Sequence, residues 1–474
     1  MVDSKKDVIA TVILVLINFI TYVDRYSIAG VLTKVQHFYK IDDTGAGAIQ
    51  TTFLVLYVLC SPIFGYLGDR YNRKYLVLFG FSVWLVGVNG ASFIPEELFP
   101  LFITFRALIG LSEAIFSSIS ATLVADMFSV KYRGYVFMVL FIAIPVGCGC
   151  GFAFCPLIAE LTGSFQWAIR IPGLIGFLIY LSGFIFLHEP VRGVADGTTG
   201  DKVRKSSYWN DLRVLATTPT YVLTALAFMN MSFATGSVNW WTISLLEHSE
   251  AWKQGLNSTK IGLYFGGINV AGGLLGIATG VILAGWILKG FCCLPKTIKG
   301  RQIVCVLGSL LTAPMLVALL QFGHESFLLS MIFIFFIVLF FTFYLALCPD
   351  IVTTIVIPQR RTTAFAYIIL LSHLFGDASG PLCIGFISDV IRNGGTTPED
   401  KYKSLSSAYY FIVALILLGG VLYFVSSLTL AKDQERFRTE LDNCDQNDTE
   451  ITELDYSREE TSKRLMSSEL SDEE

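Results

Sequence analysis

Charge is what this 474-residue chain has least of. Asp, Glu, Lys and Arg make up 15% of it, where a soluble domain carries roughly 25%. Hydrophobic residues reach 54%, aromatics 14%, and the mean hydropathy is +0.62. Such a chain cannot close a water-facing surface, which excludes a soluble enzyme and a nucleic-acid binder. Histidine is also rare, with five residues in all. Only His373 falls inside an apolar run, and Ser112 lacks the flanking glycines of a nucleophile elbow. Neither an intramembrane hydrolase, nor a metal centre, nor a cofactor site is therefore expected. The ten cysteines carry no disulfide framework: Cys60, Cys148, Cys150, Cys155, Cys305, Cys348 and Cys383 sit in apolar runs as small hydrophobes. Cys292 and Cys293, among basic residues, either carry palmitate or stay as free thiols.

What is present is a series of long apolar stretches, at residues 8–31, 45–67, 75–94, 99–125, 135–158, 168–187, 219–246, 260–288, 302–322, 326–348, 363–390 and 408–430. Each is near the roughly 20 residues that a membrane-spanning helix needs, so twelve spans are expected, numbered here in that order. The first has no small-residue cleavage site and contains Asp24-Arg25, so it reads as a retained span and not a signal peptide. A hydrophilic stretch over 188–218, with Arg192, Lys202, Arg204, Lys205 and Arg213, divides the chain into two six-helix bundles, 1–187 and 219–430. Two such halves are expected around a central cavity. From residue 431 onward 15 acidic residues face 6 basic ones, leaving +5 on the preceding chain. This end reads as a disordered, solvated acidic tail whose protein partners the sequence does not name. With the N terminus inside, cytoplasmic connectors collect 21 Lys/Arg against 8 on the opposite side, which places both termini in the cytoplasm. The sequon at Asn257 then lies on the outer side.

The connector after span 2 reads Gly65-Tyr66-Leu67-Gly68-Asp69-Arg70-Tyr71-Asn72-Arg73-Lys74. Its glycines permit close helix approach, and Asp69 and Arg73 can pair with charges on neighbouring helix ends. An ordinary positive-inside loop explains the arginines but not the ordered Gly and Asp. The run resembles the signature of the major facilitator superfamily. In that family it latches the outward-facing state, which implies Asp69 near the start of span 11 and Arg73 near the end of span 4, with Asp126 as partner of Arg73. Pro145, Gly147, Gly149 and Gly151 on span 5 are similar to the superfamily's Gly/Pro motif and suit close packing of helices that rock. The connector between spans 8 and 9 has only Gly285 and Lys289. A lookalike, Gly385-Phe386-Ile387-Ser388-Asp389, ends span 11 on the outer side and carries little weight by sequence.

Ionisable residues inside a span are costly and are functional candidates by default. Six stand out: Asp24 and Arg25 on span 1, Arg106 and Glu113 on span 4, His373 and Asp377 on span 11. Arg106 and Glu113 share a face about 10 Å apart along the axis; His373 and Asp377, four apart, share another. The superfamily resemblance implies that spans 1, 4, 7 and 10 line the cavity, so Asp24 and Arg25 can face Arg106 and Glu113 across it. Burial disfavours a charged carboxylate and a nearby arginine favours it. A substrate anion occupying the arginine would thus free a carboxylate to take a proton. The structural alternatives are permanent ion-pair clamps and, at His373/Asp377, an ordinary helix-packing bond. Phe-rich runs such as 333–343 read as lipid contact, and Trp240-Trp241 as a packing pair.

Taken together, Tyr22-Val23-Asp24-Arg25-Tyr26, the Gly65–Lys74 connector, Arg106 to Glu113 with Ala125-Asp126-Met127-Phe128, Ala143-Ile144-Pro145-Val146-Gly147 and Ser372-His373-Leu374-Phe375-Gly376-Asp377-Ala378 resemble the Spinster family. The resemblance implies an all-α major facilitator fold and transport of single-chain phosphorylated lipids, sphingolipids or lysophospholipids, coupled to protons. By position it implies that Asp24, Glu113 and His373 handle protons and that Arg25 and Arg106 hold the head group. Asp377 supports His373, and Gly65, Asp69, Arg70, Arg73 and Asp126 form the gate. Its partners are then the lipid, protons and the bilayer, in a late-endosomal or lysosomal membrane, with the plasma membrane as the alternative. A carrier for a small water-soluble organic anion is the competing function, since the arginines suit that as well.

Overall fold

The computed structural model describes residues 5–128, 130–190, 208–253, 258–290, 296–356 and 358–471. The side chains of Asp69, Arg70 and Asp126 and those beyond Thr439 lie outside the described residues, as do Asn257, Cys292, Cys293 and the 191–207 part of the central connector. Among the described residues twelve helices are long and apolar enough to cross a membrane, as the hydropathy pattern predicts. They are α1 (Lys5–Gly30), α2 (Asp43–Arg70), α3 (Arg73–Ala91), α4 (Phe99–Met127), α5 (Val130–Leu161), α6 (Phe165–Phe186), α7 (Pro219–Lys253), α8 (Ser258–Lys289), α9 (Gly300–Phe322), α10 (Phe327–Thr353), α11 and α12 (Pro398–Ser471). The eleventh is composite: Pro358–Ser372, a π-helical turn at His373–Asp377, then Ser379–Arg392. Short helices at Leu32–Tyr39 and Tyr208–Ala216 lie between spans.

Helix starts follow from local chemistry. Asp42 accepts a hydrogen bond from the Gly45 amide at 2.8 Å and Asn72 one from the Tyr75 amide at 3.3 Å, each satisfying an otherwise orphaned N–H of α2 or α3. Within the first bundle α1 packs on α5 and α6, and α4 on α2 and α3; within the second α12 packs on α7 and α9, and α8 on α10. The bundles meet along two seams, α2 against α11 and α5 against α8. The small residues of α5 make these approaches: a Cβ at Gly147 would lie 2.7 Å from the Phe19 carbonyl oxygen of α1, and one at Gly149 3.0 Å from that of Gly266 on α8. The Gly/Pro pattern on span 5 is therefore used as expected, for close helix contact.

The C-terminal end differs from the expectation of a disordered tail from residue 431. The α12 backbone stays helical to Ser471, because no Gly or Pro follows Gly420 and Glu, Lys, Arg and Leu are good helix formers. Asp433, placed in the tail by composition, is buried and accepts a hydrogen bond from the Thr220 amide at 2.8 Å. It thereby satisfies a free N–H at the start of α7.

An even number of spans returns the chain to its starting face, called here proximal; the opposite face, with the α1–α2 and α11–α12 connections, is distal. Among the described residues, hydrogen bonds between the bundles gather at the distal face. The Asp389 carboxylate accepts from the Asp43 amide at 3.2 Å, the Thr44 amide at 2.7 Å and the Thr44 hydroxyl at 2.6 Å. Arg392 pairs with Asp43 at 3.2 Å and with Asp389 itself, and Thr33 bonds Glu247.

Candidate functional site

Asp24 and Arg25 are neighbours on α1, yet consecutive helical positions lie about 100° apart, and the two side chains take different partners on α4. Asp24 Oδ2 meets Arg106 Nη1 at 3.2 Å, with both side chains sealed from solvent at 0% and 1% exposure. Arg25 Nη1 meets Glu113 Oε1 at 3.4 Å. The four charges of these two spans thus face one another, as two crossed pairs and not one cluster. Phe53 of α2 separates them: its ring lies 5.2 Å from the Arg25 guanidinium and 5.6 Å from that of Arg106. Gly110 makes this wedge fit, for a Cβ there would stand 2.0 Å from the Phe53 carbonyl oxygen.

The two pairs have different surroundings. Arg106 is wholly enclosed, with Nε and Nη2 unpartnered as well as buried. Arg25 instead lines a small cavity of about 40 Å³, together with Gln50 of α2, Asn239 and Trp240 of α7 and Asp377 of α11. A larger cavity of about 330 Å³ opens toward the proximal half, between α2, α4 and α11. Its walls are Tyr57, Val58 and Pro62, Ser117, and Ile369 and His373. Ser117 lies one helical turn from Glu113 along α4, so the apolar groove begins where the charged pair ends. His373 belongs to the groove and Asp377 to the small cavity, and the two bond to each other at 2.9 Å. The Tyr57 ring meets the His373 ring edge-on, with centroids 5.6 Å apart. Among the described residues no group of three His, Cys, Asp or Glu side chains could hold a metal ion.

The proximal gate residues read differently from the distal ones. Arg73 is buried and its Nε donates to the Gly68 carbonyl at 3.1 Å. The proposed partners Asp69, Arg70 and Asp126 lie, as side chains, outside the described residues. Gly65, expected to sit against a neighbouring helix, has nothing within 4 Å of an added Cβ; the close approach is at Gly68, 3.1 Å from Ile119. The reason is that α2 leans on α11 at its distal end, where a Cβ at Gly385 would lie 2.2 Å from the Asp43 carbonyl oxygen. Sequence reasoning gave little weight to Gly385 and Asp389, yet they build the distal latch. Their signal was present: the Gly-x-x-x-Asp spacing repeats that of Gly65 and Asp69. Trp240-Trp241 also divides, Trp241 donating to the Pro381 carbonyl at 3.0 Å while Trp240 lines the small cavity.

Comparison with known proteins agrees with this architecture. The Major Facilitator Superfamily model matches residues 14–292. Protein spinster homolog 1 of Mus musculus is 35% identical over 435 residues, 90% of this chain and 81% of that protein. The sphingosine-1-phosphate transporter SPNS2 of Xenopus tropicalis is 33% identical over 91% of this chain and 84% of its own length. Among solved structures, a bacterial homolog of the human lysosomal transporter Spinster, inward-facing and unoccupied, superposes with a TM-score of 0.80 at 17% identity. That match covers 91% of this chain and 99% of the other. The fold is also similar to a D-xylose-proton symporter, with a TM-score of 0.67.

Proposed function

This chain belongs to the Spinster family of the major facilitator superfamily, membrane transporters and not enzymes, and from that premise we propose that it carries a single-chain phosphorylated lipid by proton-coupled alternating access. The observation that supports this reading best is the continuity of an apolar groove with a charged pair at its inner end. A lipid with one tail lays the tail along Val58, Pro62 and Ile369 and brings its phosphate to Arg25. Two-chain lipids and sugars match only one part of such a site.

Coupling follows from the Arg25–Glu113 pair. At 3.4 Å it is longer than the roughly 2.7–2.9 Å of a tight charge-assisted bond, so the guanidinium can turn to an incoming phosphate. Glu113, left without its cation in a low-dielectric site, takes a proton rather than stay an uncompensated charge. His373, at the groove wall, is the second proton-handling group. Asp24 and Arg106 are the deep, closed pair, and Arg106 reaches the head group only through rearrangement of Asp24. The excess of basic residues in the proximal connectors puts both termini in the cytoplasm, and the distally latched state then opens inward. A late-endosomal or lysosomal membrane is the proposed location.

Purified protein in proteoliposomes, given labelled lysolipid or labelled sugar phosphate under a pH gradient, tests the reading. Proton-driven lysolipid flux is expected, and it is expected to vanish in Glu113→Gln while the lipid still binds. Transport of the sugar phosphate alone overturns the lipid reading, and full pH-driven flux in Glu113→Gln makes that residue structural. Lipid profiles of isolated lysosomes with and without the protein test the location; an unchanged profile refutes it.

A further inference from the structure

A cavity of about 560 Å³ opens on the distal face within the first bundle, between the short helix Leu32–Tyr39 and the turn that joins α5 to α6. Gly163 makes that turn with a φ of +69°, the left-handed conformation that suits glycine. The floor is aromatic, the Phe38 and Phe165 rings meeting edge-on with centroids 5.2 Å apart. The walls are polar, and no carboxylate is among the described residues that line them. Lys34 is half-buried there, with His37 one turn further on. Among the described residues neither side chain has a hydrogen bond or an ion pair. Gln166 accepts the Ser164 hydroxyl through Oε1, which leaves its two amide N–H groups to donate. Cations and N–H donors over an apolar floor suit a group that is negative and rich in acceptor oxygens. A half-buried ammonium without a counter-ion calls for one.

The level of the cavity in the membrane indicates what carries that group. Leu161 and Trp167, on either side of the Gly163 turn, are exposed. Arg170 lies over the Trp167 ring at 5.3 Å and the Phe93 ring at 4.5 Å. An exposed Trp beside a basic residue marks the depth of lipid head groups, so the distal leaflet presents its head groups at the cavity mouth. The same eight-residue helix carries two bonds of the distal closure. Thr33 bonds Glu247 of α7, and Gln36 Nε2 donates at 2.8 Å to Asp43, the carboxylate that pairs with Arg392 of α11. We infer that Lys34, His37 and Gln166 hold the phosphate of an anionic lipid of the distal leaflet, and that this lipid steadies the distally closed state. An occupied cavity fixes the helix against the α5–α6 turn. Thr33 and Gln36 pass that constraint to α7 and, through Asp43, to α11. The cavity lies outside the passage between the bundles, so its occupant is a resident of the membrane and not cargo.

Hydrogen–deuterium exchange of the full-length protein in phosphatidylcholine nanodiscs, with increasing phosphatidylglycerol, tests the inference. Phosphatidylglycerol is expected to slow exchange at residues 32–39 and 43–51 together in the wild type. Lys34→Gln is expected to need about tenfold more of it for the same protection, as for loss of a bond to a charged group. Lys34→Arg is expected to keep the response. Gln166→Glu retains the acceptor for Ser164 but puts a carboxylate in the cavity, and is expected to abolish the response. No protection in the wild type, or equal protection in wild type, Lys34→Gln and Gln166→Glu, overturns the inference. Protection at 32–39 alone supports the lipid site and overturns its link to the closure. Inorganic phosphate added to neutral nanodiscs is expected to change nothing; equal protection from it overturns the lipid as the source of the anion.

Discussion

Asp24 and Arg25 show how much one residue's step along a helix decides. Asp24 is fully enclosed against Arg106, whereas Arg25 keeps one edge on a cavity and holds Glu113 loosely. Removing one member of a buried ion pair leaves an uncompensated charge and costs about 3–5 kcal/mol. Arg106→Ala and Asp24→Asn are therefore expected to lower the melting temperature in detergent far more than Glu113→Gln does, and a substitution removing both charges is expected to recover part of the loss. Equal melting temperatures for Arg106→Ala and Glu113→Gln would show that the closed pair is not structural. The existence of six ionisable groups in the spans was legible from the sequence, as was their sharing of faces. Which carboxylate took which arginine was not, because it depends on Phe53, which the glycine at 110 allows between them.

At the scale of elements, α2 and α11 carry the distal bonds between the bundles. The Asp389 carboxylate sits on the first amides of α2, where the helix dipole favours negative charge. Arg392 bridges Asp389 and Asp43, and Ser388 donates to Asp43 at 2.9 Å. Asp389→Asn weakens the cap and breaks the bridge to Arg392. Hydrogen–deuterium exchange is expected to quicken together at residues 43–51 and 378–392 in that variant; unchanged protection at both ends would deny the latch. The sequence displayed the two Gly-x-x-x-Asp runs equally, and only packing distinguished them. Gly65 faces open space while Gly385 lies against the α2 backbone. The π-helical turn in α11 was likewise invisible to hydropathy, since one extra residue in a turn leaves the apolar pattern almost unaltered.

For the molecule as a whole, the end of α12 shows where composition misleads. Acidic content draws the boundary at residue 431, but Asp433 caps α7 from the adjoining helix α12. Deleting everything after Thr439 is expected to leave the melting temperature unchanged. Asp433→Ala is expected to lower it measurably, for a lost cap is worth about 1 kcal/mol. A larger drop from the deletion than from Asp433→Ala would give the remainder of the helix a structural role. The molecule's logic otherwise rests on two seams of small residues, α2 with α11 and α5 with α8, along which one bundle can move on the other.

Twelve spans, two halves and the positions of the buried charges follow from the sequence, because the cost of placing polar groups in hydrocarbon is local and is written residue by residue. The pairing of those charges, the distal latch and the division of His373 from Asp377 belong to the tertiary structure. They are set by where helix backbones touch, and contact between distant segments has no period in the chain from which it could be read.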